Sequence, residues 1–263
     1  MRWLGFAIPT LALLLACATS PTGRSQLRLF PDAEMAKMGA AAYDEMKQEM
    51  KISGDAVATT YVRCVADAVA AEVEGKFART SWEVTLFEEP SPNAFALPGG
   101  KIGVHTGLLA VASNQSQLAT VLGHEVAHVL AEHGNERIST AYATETGLSV
   151  VESISGAPSP TKSQLLGLLG IGAQVGVLLP FSRAQESEAD QLGLDLMARA
   201  GFDPTESVAL WRNMAKAGGG EPPEFMSTHP SHGTRIQDLE ARMPGAVLLE
   251  TGARERGRRP RCS

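Results

Sequence analysis

With 263 residues, 44% hydrophobic and 20% charged, the chain has the length and apolar content for one sizeable globular core. Its formal charge of −6, with basic residues clustered only near the end, speaks against a nucleic-acid partner. No internal repeat is visible.

The first element is apolar. Arg2 precedes a run through Leu11, Leu13, Leu14 and Leu15 that ends at Ala16-Cys17, a signal-peptide core too short to span a bilayer as a helix. Leu14-Leu15-Ala16-Cys17 resembles a bacterial lipobox, which implies removal of residues 1–16, acylation of Cys17 and membrane attachment through that lipid. Ala18 after the cysteine resembles lipoproteins sorted to the outer membrane. The expected location is therefore the bacterial cell envelope, at the periplasmic face of that membrane. A plain secretory signal with an incidental cysteine is the alternative. Residues 17–30 begin rich in Ser, Thr, Pro and Gly and read as a flexible tether. Export also bears on Cys64 and Cys262: an oxidising compartment favours a disulfide between them over two unpaired thiols.

A single domain is expected over 31–245. Residues 31–50, rich in Ala, Met, Glu and Lys, read as a helix, and 56–74 as a second, with Val57, Tyr61, Val65 and Val69 at core spacing. The period then changes. Trp82, Val84 and Leu86 alternate with polar neighbours as in a strand, and Pro98-Gly99-Gly100 reads as a turn before a strand from Lys101 to His105. A small sheet thus precedes the next helix, and its edge offers unpaired amides and carbonyls to an extended peptide.

Leu118 to Glu132 carries the chemistry. His124-Glu125-Val126-Ala127-His128 is an HExxH sequence framed by Leu118, Val121, Leu122, Val126, Val129 and Leu130. At about 100° per residue the two histidines stack on one helical face, where they can share one Zn²⁺ with Glu125 beside them as a base. Two core or surface histidines on an ordinary helix are the competing reading. Catalytic zinc normally takes a third protein ligand. An HExxHxxGxxH continuation is absent, because Ala131 stands where Gly belongs and His133 comes one place early. On a continuous helix His133 points half a rotation away from His124.

Between 140 and 180 the chain is rich in Ala, Gly and Ser, with a break at Pro158-Ser159-Pro160. Leu165 to Leu179 is apolar but short and interrupted by glycines, so a buried helix is favoured over a membrane span. Beyond it, Glu186 and Asp190 lie four apart, on one helical face. Glu186 can complete a His₂Glu site, and Asp190 can accept the N–H of a ligand imidazole and fix its tautomer; a solvated acidic first turn is the alternative. The helix ends at Gly201, Asp203-Pro204 starts another through Ala215, Glu221-Pro222-Pro223 marks a loop, and the last helix is expected over Thr234 to Arg242. Residues 246–263, with Arg254, Arg256, Arg258, Arg259 and Arg261, read as a solvated basic tail.

Four elements together resemble one family: the HExxH sequence; Ser182-Arg183 followed by Glu186 and Asp190; the stretch from Ser91 to Leu109; and Thr228-His229-Pro230 followed by Arg235. They are similar to the zinc endopeptidases that include the CAAX prenyl protease and the bacterial HtpX, BepA and LoiP proteins, in their lipoprotein branch. The resemblance runs from about Asp32 to Met243. It implies a mainly helical α+β fold of gluzincin type, with a small sheet packed beside the HExxH helix. It implies one zinc per chain on His124, His128 and Glu186, Glu125 as general base and Asp190 as supporting carboxylate. His229 and Arg235 are implied near the metal or the reaction's oxyanion, and a third imidazole from His229 on the metal would hold the enzyme latent. The expected activity is hydrolysis of peptide bonds in unfolded or misassembled cell-envelope proteins. The alternative is a chaperone-like lipoprotein that binds unfolded clients with little turnover.

Overall fold

The computed structural model describes residues 17–153, 181–217, 224–230 and 234–262. The signal-peptide reading of 1–16, the apolar stretch at 165–179 and the loop at 221–223 lie outside these residues. Among the described residues, no helix is long and apolar enough to cross a membrane.

The chain starts with a hairpin in which β1 (Cys17–Thr19) pairs antiparallel with β2 (Ser25–Leu27). Helices α1 (Asp32–Glu49) and α2 (Ala56–Ala70) follow, then strands β3 (Glu83–Phe87), β4 (Ala94–Leu97) and β5 (Lys101–His105). The sheet order is β3-β5-β4, with β3 parallel and β4 antiparallel to β5, so β4 forms an edge. Gly99 and Gly100 turn β4 into β5 with φ of +87° and +79°, a region that Cβ-bearing residues rarely enter. Then come α3 (Thr106–Val111), α4 (Gln115–Leu130), α5 (His133–Ser153), α6 (Arg183–Arg199), α7 (Glu206–Ala217), α8 (Glu224–Thr228) and α9 (Arg235–Glu255).

The fold is the mainly helical α+β arrangement expected, with the sheet beside the HExxH helix. One core joins them. Val62, Val65 and Val69 of α2, Leu86, Ile102 and Val104 of the sheet, and Leu118, Leu122 and Val126 of α4 pack with Leu194 and Met197 of α6. α4 is central: every residue from Ser116 to Val129 is buried. Its start is set by Asn114, whose side chain accepts from the amides of Ser116 and Gln117.

Two boundaries differ from the sequence reading. The segment expected as a tether contains the β1–β2 hairpin, which is held down by side chains rather than by apolar burial. Arg24 meets Glu136 through two bonds of 2.5 and 2.6 Å, and Gln26 donates to the Ala131 carbonyl at 2.6 Å. At the other end, α9 continues through Pro244 to Glu255, so residues 246–255 belong to a helix rather than to a solvated arm. Ala246 and Ala253 are fully buried in it. Cys262 is then tied back to Cys64 of α2 by a disulfide.

Candidate metal centre

Two helices carry the site, and they cross at glycine. The ideal Cβ position on Gly193 of α6 lies 2.7 Å from the backbone nitrogen of His124, so only hydrogen fits there. This contact sets His124 against α6. The start of α6 is fixed separately, by a capping box: the Ser182 hydroxyl accepts the Gln185 amide, and the Gln185 side chain accepts the Ser182 amide. Glu186 therefore sits in the first turn, with Asp190 one turn on.

His124, His128 and Glu186 converge, and His229, from the end of α8, joins them. One ligand atom from each lies within 4.8 Å of the others, all buried. The two Nε2 atoms of His124 and His128 are 3.0 Å apart. Glu186 Oε2 is 3.5 Å from His124 Nε2, and its Oε1 is 3.4 Å from His128 Nε2. Four ligands at the usual 2.0–2.1 Å from zinc stand about 3.3 Å apart along the edges of a tetrahedron. The spacing fits that ion. So does the chemistry: Glu125 Oε1 and Glu186 Oε2 are buried acceptors without a hydrogen-bond donor, a costly arrangement unless a cation is shared.

Asp190 Oδ1 is 3.0 Å from His124 Nδ1, which leaves Nε2 of that ring for the metal. Arg235 is 1% exposed and lies between the carboxylates: Nη2 donates to Asp190 at 2.6 Å and Nη1 is 3.3 Å from Glu186 Oε2. Its guanidinium carbon stands 3.4 Å over the Trp211 ring. The structure thus assembles Arg235 with the ligand carboxylates. His229 Nδ1 is 3.2 Å from His124 Nε2 and 3.0 Å from Glu186 Oε1, while its Nε2 is 3.5 Å from Glu125 Oε1. Phe225 stacks on its ring at 4.5 Å.

Burial raises the Glu125 carboxyl above its ordinary value, against the opposing pull of His229 and His124. Burial also acts to raise Glu186, but the imidazoles of His229 and His124 outweigh it and hold Glu186 far below. His128 is pushed well below its ordinary value by burial. His124 goes the other way, to about 9, because Glu186 and Asp190 outweigh its desolvation.

Sequence reasoning placed His133 on the far side of a continuous helix. α4 instead stops at Leu130, Glu132 takes a left-handed φ of +54°, and α5 begins at His133, whose Nδ1 reaches within 2.9 Å of His128 Nδ1. Glu188, two residues past Glu186 and so on another face of α6, meets the other side of His133 at 3.2 Å.

A buried His₂Glu cluster on two crossed helices beside a small sheet defines a zinc metallopeptidase. The chain belongs to peptidase family M48, whose model matches residues 56–243. It is 37% identical over 232 residues to the mitochondrial metalloendopeptidase OMA1 of Schizosaccharomyces pombe, covering 85% of this chain and 66% of that one. It is 31% identical over 241 residues to the human mitochondrial metalloendopeptidase OMA1, covering 87% and 46%. To the β-barrel assembly-enhancing protease of Yersinia pestis it is 30% identical over 217 residues, covering 80% and 44%. The chain thus spans less than two thirds of the length of each of these relatives. They correct one expectation. The relatives from fission yeast and human, at higher identity than the bacterial one, are named as mitochondrial, which overturns the placement at a bacterial outer membrane.

Proposed function

We propose that this chain is a zinc endopeptidase that cuts extended segments of unfolded or misassembled polypeptides. The observation that carries the proposal is the set of buried donor atoms at zinc-ligand spacing, with the Glu125 carboxylate beside it. His124, His128 and Glu186 would hold the ion. When bound, zinc supplies a Lewis acid that polarises the scissile carbonyl and acidifies water. Glu125 takes a proton from the attacking water on a carboxylate oxygen and passes it to the leaving amine. Asp190 and Arg235 orient the ligand side chains and exclude water from behind them.

The sheet supports this substrate class. β4 is an edge strand, and it packs against α4, the helix that carries Glu125. A peptide added alongside β4 would run past the catalytic base in extended form. A cavity of 320 Å³ adjoins this path, lined by Phe77, Pro98, Val129 and Phe181 among others and reaching His128. Its apolar walls suit one hydrophobic side chain of such a segment. Folded proteins seldom offer a free extended segment, so unfolded ones are favoured.

Membrane attachment by a lipid on Cys17 is the finer proposal and rests on Leu14-Leu15-Ala16-Cys17 alone; the intact mass of the membrane-extracted protein tests it. A second reading concerns His229. Its Nδ1 stands at ligand spacing from both His124 and Glu186, as a fourth vertex would. This favours a latent form, in which His229 occupies the position that water needs and movement of α8 releases it.

The decisive experiment measures metal content and cleavage of an unfolded casein-type substrate in parallel. Glu186→Ala should lose zinc and activity together, whereas Glu125→Gln should keep zinc and lose cleavage by at least ~10²-fold. Cleavage by Glu125→Gln at the wild-type rate would remove Glu125 from the mechanism. Wild-type turnover unaffected by a chelator would remove the metal.

A further inference from the structure

The two zinc-binding imidazoles are held from behind in different ways. His124 gives its Nδ1 directly to a carboxylate, Asp190. His128 has no carboxylate there. Its Nδ1 faces His133 Nδ1 at 2.9 Å, and His133 Nε2 faces Glu188 Oε2 at 3.2 Å. Both His133 and Glu188 are buried, at 0% and 3% exposure. Glu188 in turn accepts from the Thr22 hydroxyl at 2.7 Å, the Thr22 amide at 3.3 Å and Arg24 Nε at 3.1 Å, all in the N-terminal hairpin.

The proton positions along this chain follow from one end. An ionised carboxylate only accepts, so His133 must donate to Glu188 from Nε2. The Nδ1 of a neutral His133 is then an acceptor, and His128 must donate to it from its own Nδ1. That leaves His128 Nε2 as the lone-pair atom aimed at His124 and Glu186. We propose that His133 and Glu188 are positioning residues for the metal ligand His128, and that Thr22 and Arg24 of the N-terminal hairpin hold Glu188 in that task. An imidazole is inserted where Asp190 suffices for His124: α4 ends at Leu130, Glu132 takes a left-handed φ, and the first residue of α5, His133, meets the back of His128. Zinc affinity is thereby coupled to docking of the hairpin.

The inference rests on His128 being a zinc ligand, and two measurements separate the claims. Zinc dissociation constants of the purified chain are determined by competition with a chromophoric chelator. His133→Ala should weaken Zn²⁺ about 10–100-fold, the usual consequence of removing such a partner. His133→Asn keeps an acceptor near the Nδ1 position and should recover most of the loss, and Arg24→Gln should cost a few-fold. Nitrogen NMR of ¹⁵N-histidine-labelled, zinc-loaded wild type reads the tautomer without any substitution: Nδ1–H on His128 is expected. Wild-type affinity in His133→Ala, equal weakness of the Ala and Asn variants when both fold, or a His128 ring protonated at Nε2 overturns the proposal. Zinc binding that survives His128→Ala would instead sink the ligand reading on which it stands.

Discussion

The glycine crossing of α4 and α6 makes a quantitative demand. In Gly193→Ala the new Cβ would lie 2.7 Å from His124 N, 2.8 Å from Gly123 C and 2.9 Å from His124 Cα, all backbone atoms. Carbon contacts settle near 3.5–4.0 Å, so the helices must part or tilt by roughly 0.7–1 Å at that point. Overpacking of this kind costs about 1–3 kcal/mol, and alanine's better helix propensity returns about 1 kcal/mol. The domain should therefore fold, with net destabilisation of about 0–2 kcal/mol. The site tolerates far less. Its ligand atoms are 3.0–3.5 Å apart, and the displaced backbone is that of His124 itself. A shift approaching 1 Å at reacting groups costs on the order of 10²-fold in rate. Activity should drop by about that factor, and zinc should bind more weakly, while urea unfolding changes little. Gly245→Ala in α9 is the control, because a Cβ there meets nothing within 4 Å. The assays are chelator competition, cleavage of unfolded casein and urea midpoints on the three proteins. Wild-type zinc affinity and turnover in Gly193→Ala would show that the helix crossing does not set the ligand geometry.

Two further outcomes are expected. His229→Ala should change basal cleavage: upward if the imidazole shields the fourth position, downward if it steadies the reacting carbonyl, and an unchanged rate would deny it both roles. Breaking the disulfide by Cys64→Ser with Cys262→Ser removes a cross-link between residues 198 apart. A loop of that length gives an entropic ceiling of about 5 kcal/mol, and losses of about 2–5 kcal/mol are usual. A urea midpoint unmoved under non-reducing conditions would mean that the cross-link contributes no stability to the domain.

How much of this was legible depended on whether a feature repeats along one helix. His124 with His128, and Glu186 with Asp190, are i,i+4 pairs, and helical geometry alone puts each pair on one face. Ser182 and Gln185 spell a capping box, which fixes where Glu186 falls in its turn. What the sequence concealed begins where helices stop. His133 was misplaced because a nine-residue extrapolation from His124 ran through the end of α4, and Glu132, a residue without glycine's freedom, adopts the left-handed turn that ends it. Glu188 faces away from the metal, as its position predicts, but away from the metal means toward His133 and the hairpin. The hairpin reads as a tether because its anchors are Thr22, Arg24 and Gln26, polar residues whose partners lie more than a hundred positions away. No local pattern announces such contacts. Gly123 and Gly193 are silent for the same reason, since a close approach is a property of two segments together.

Charge explains why these polar residues tolerate being buried together. Glu125, Glu186 and Asp190 are at most 8% exposed and Arg235 is 1% exposed. Three carboxylates against one guanidinium leave −2 when the imidazoles are neutral. Buried carboxylates at such separations repel strongly in a medium of low polarity. Two remedies exist. One is a proton, and the rise of His124 to about 9 marks where it would go, drawn by Glu186 and Asp190. The other is a divalent cation, which cancels −2 at a stroke and lets both histidines stay neutral with their Nε2 lone pairs directed at one point. The cluster is therefore built at a cost in folding that the proper ion removes. The groups around it, Asp190 beside His124 Nδ1 and His133 behind His128 Nδ1, would fix the tautomer of each ring so that both Nε2 atoms face the ion.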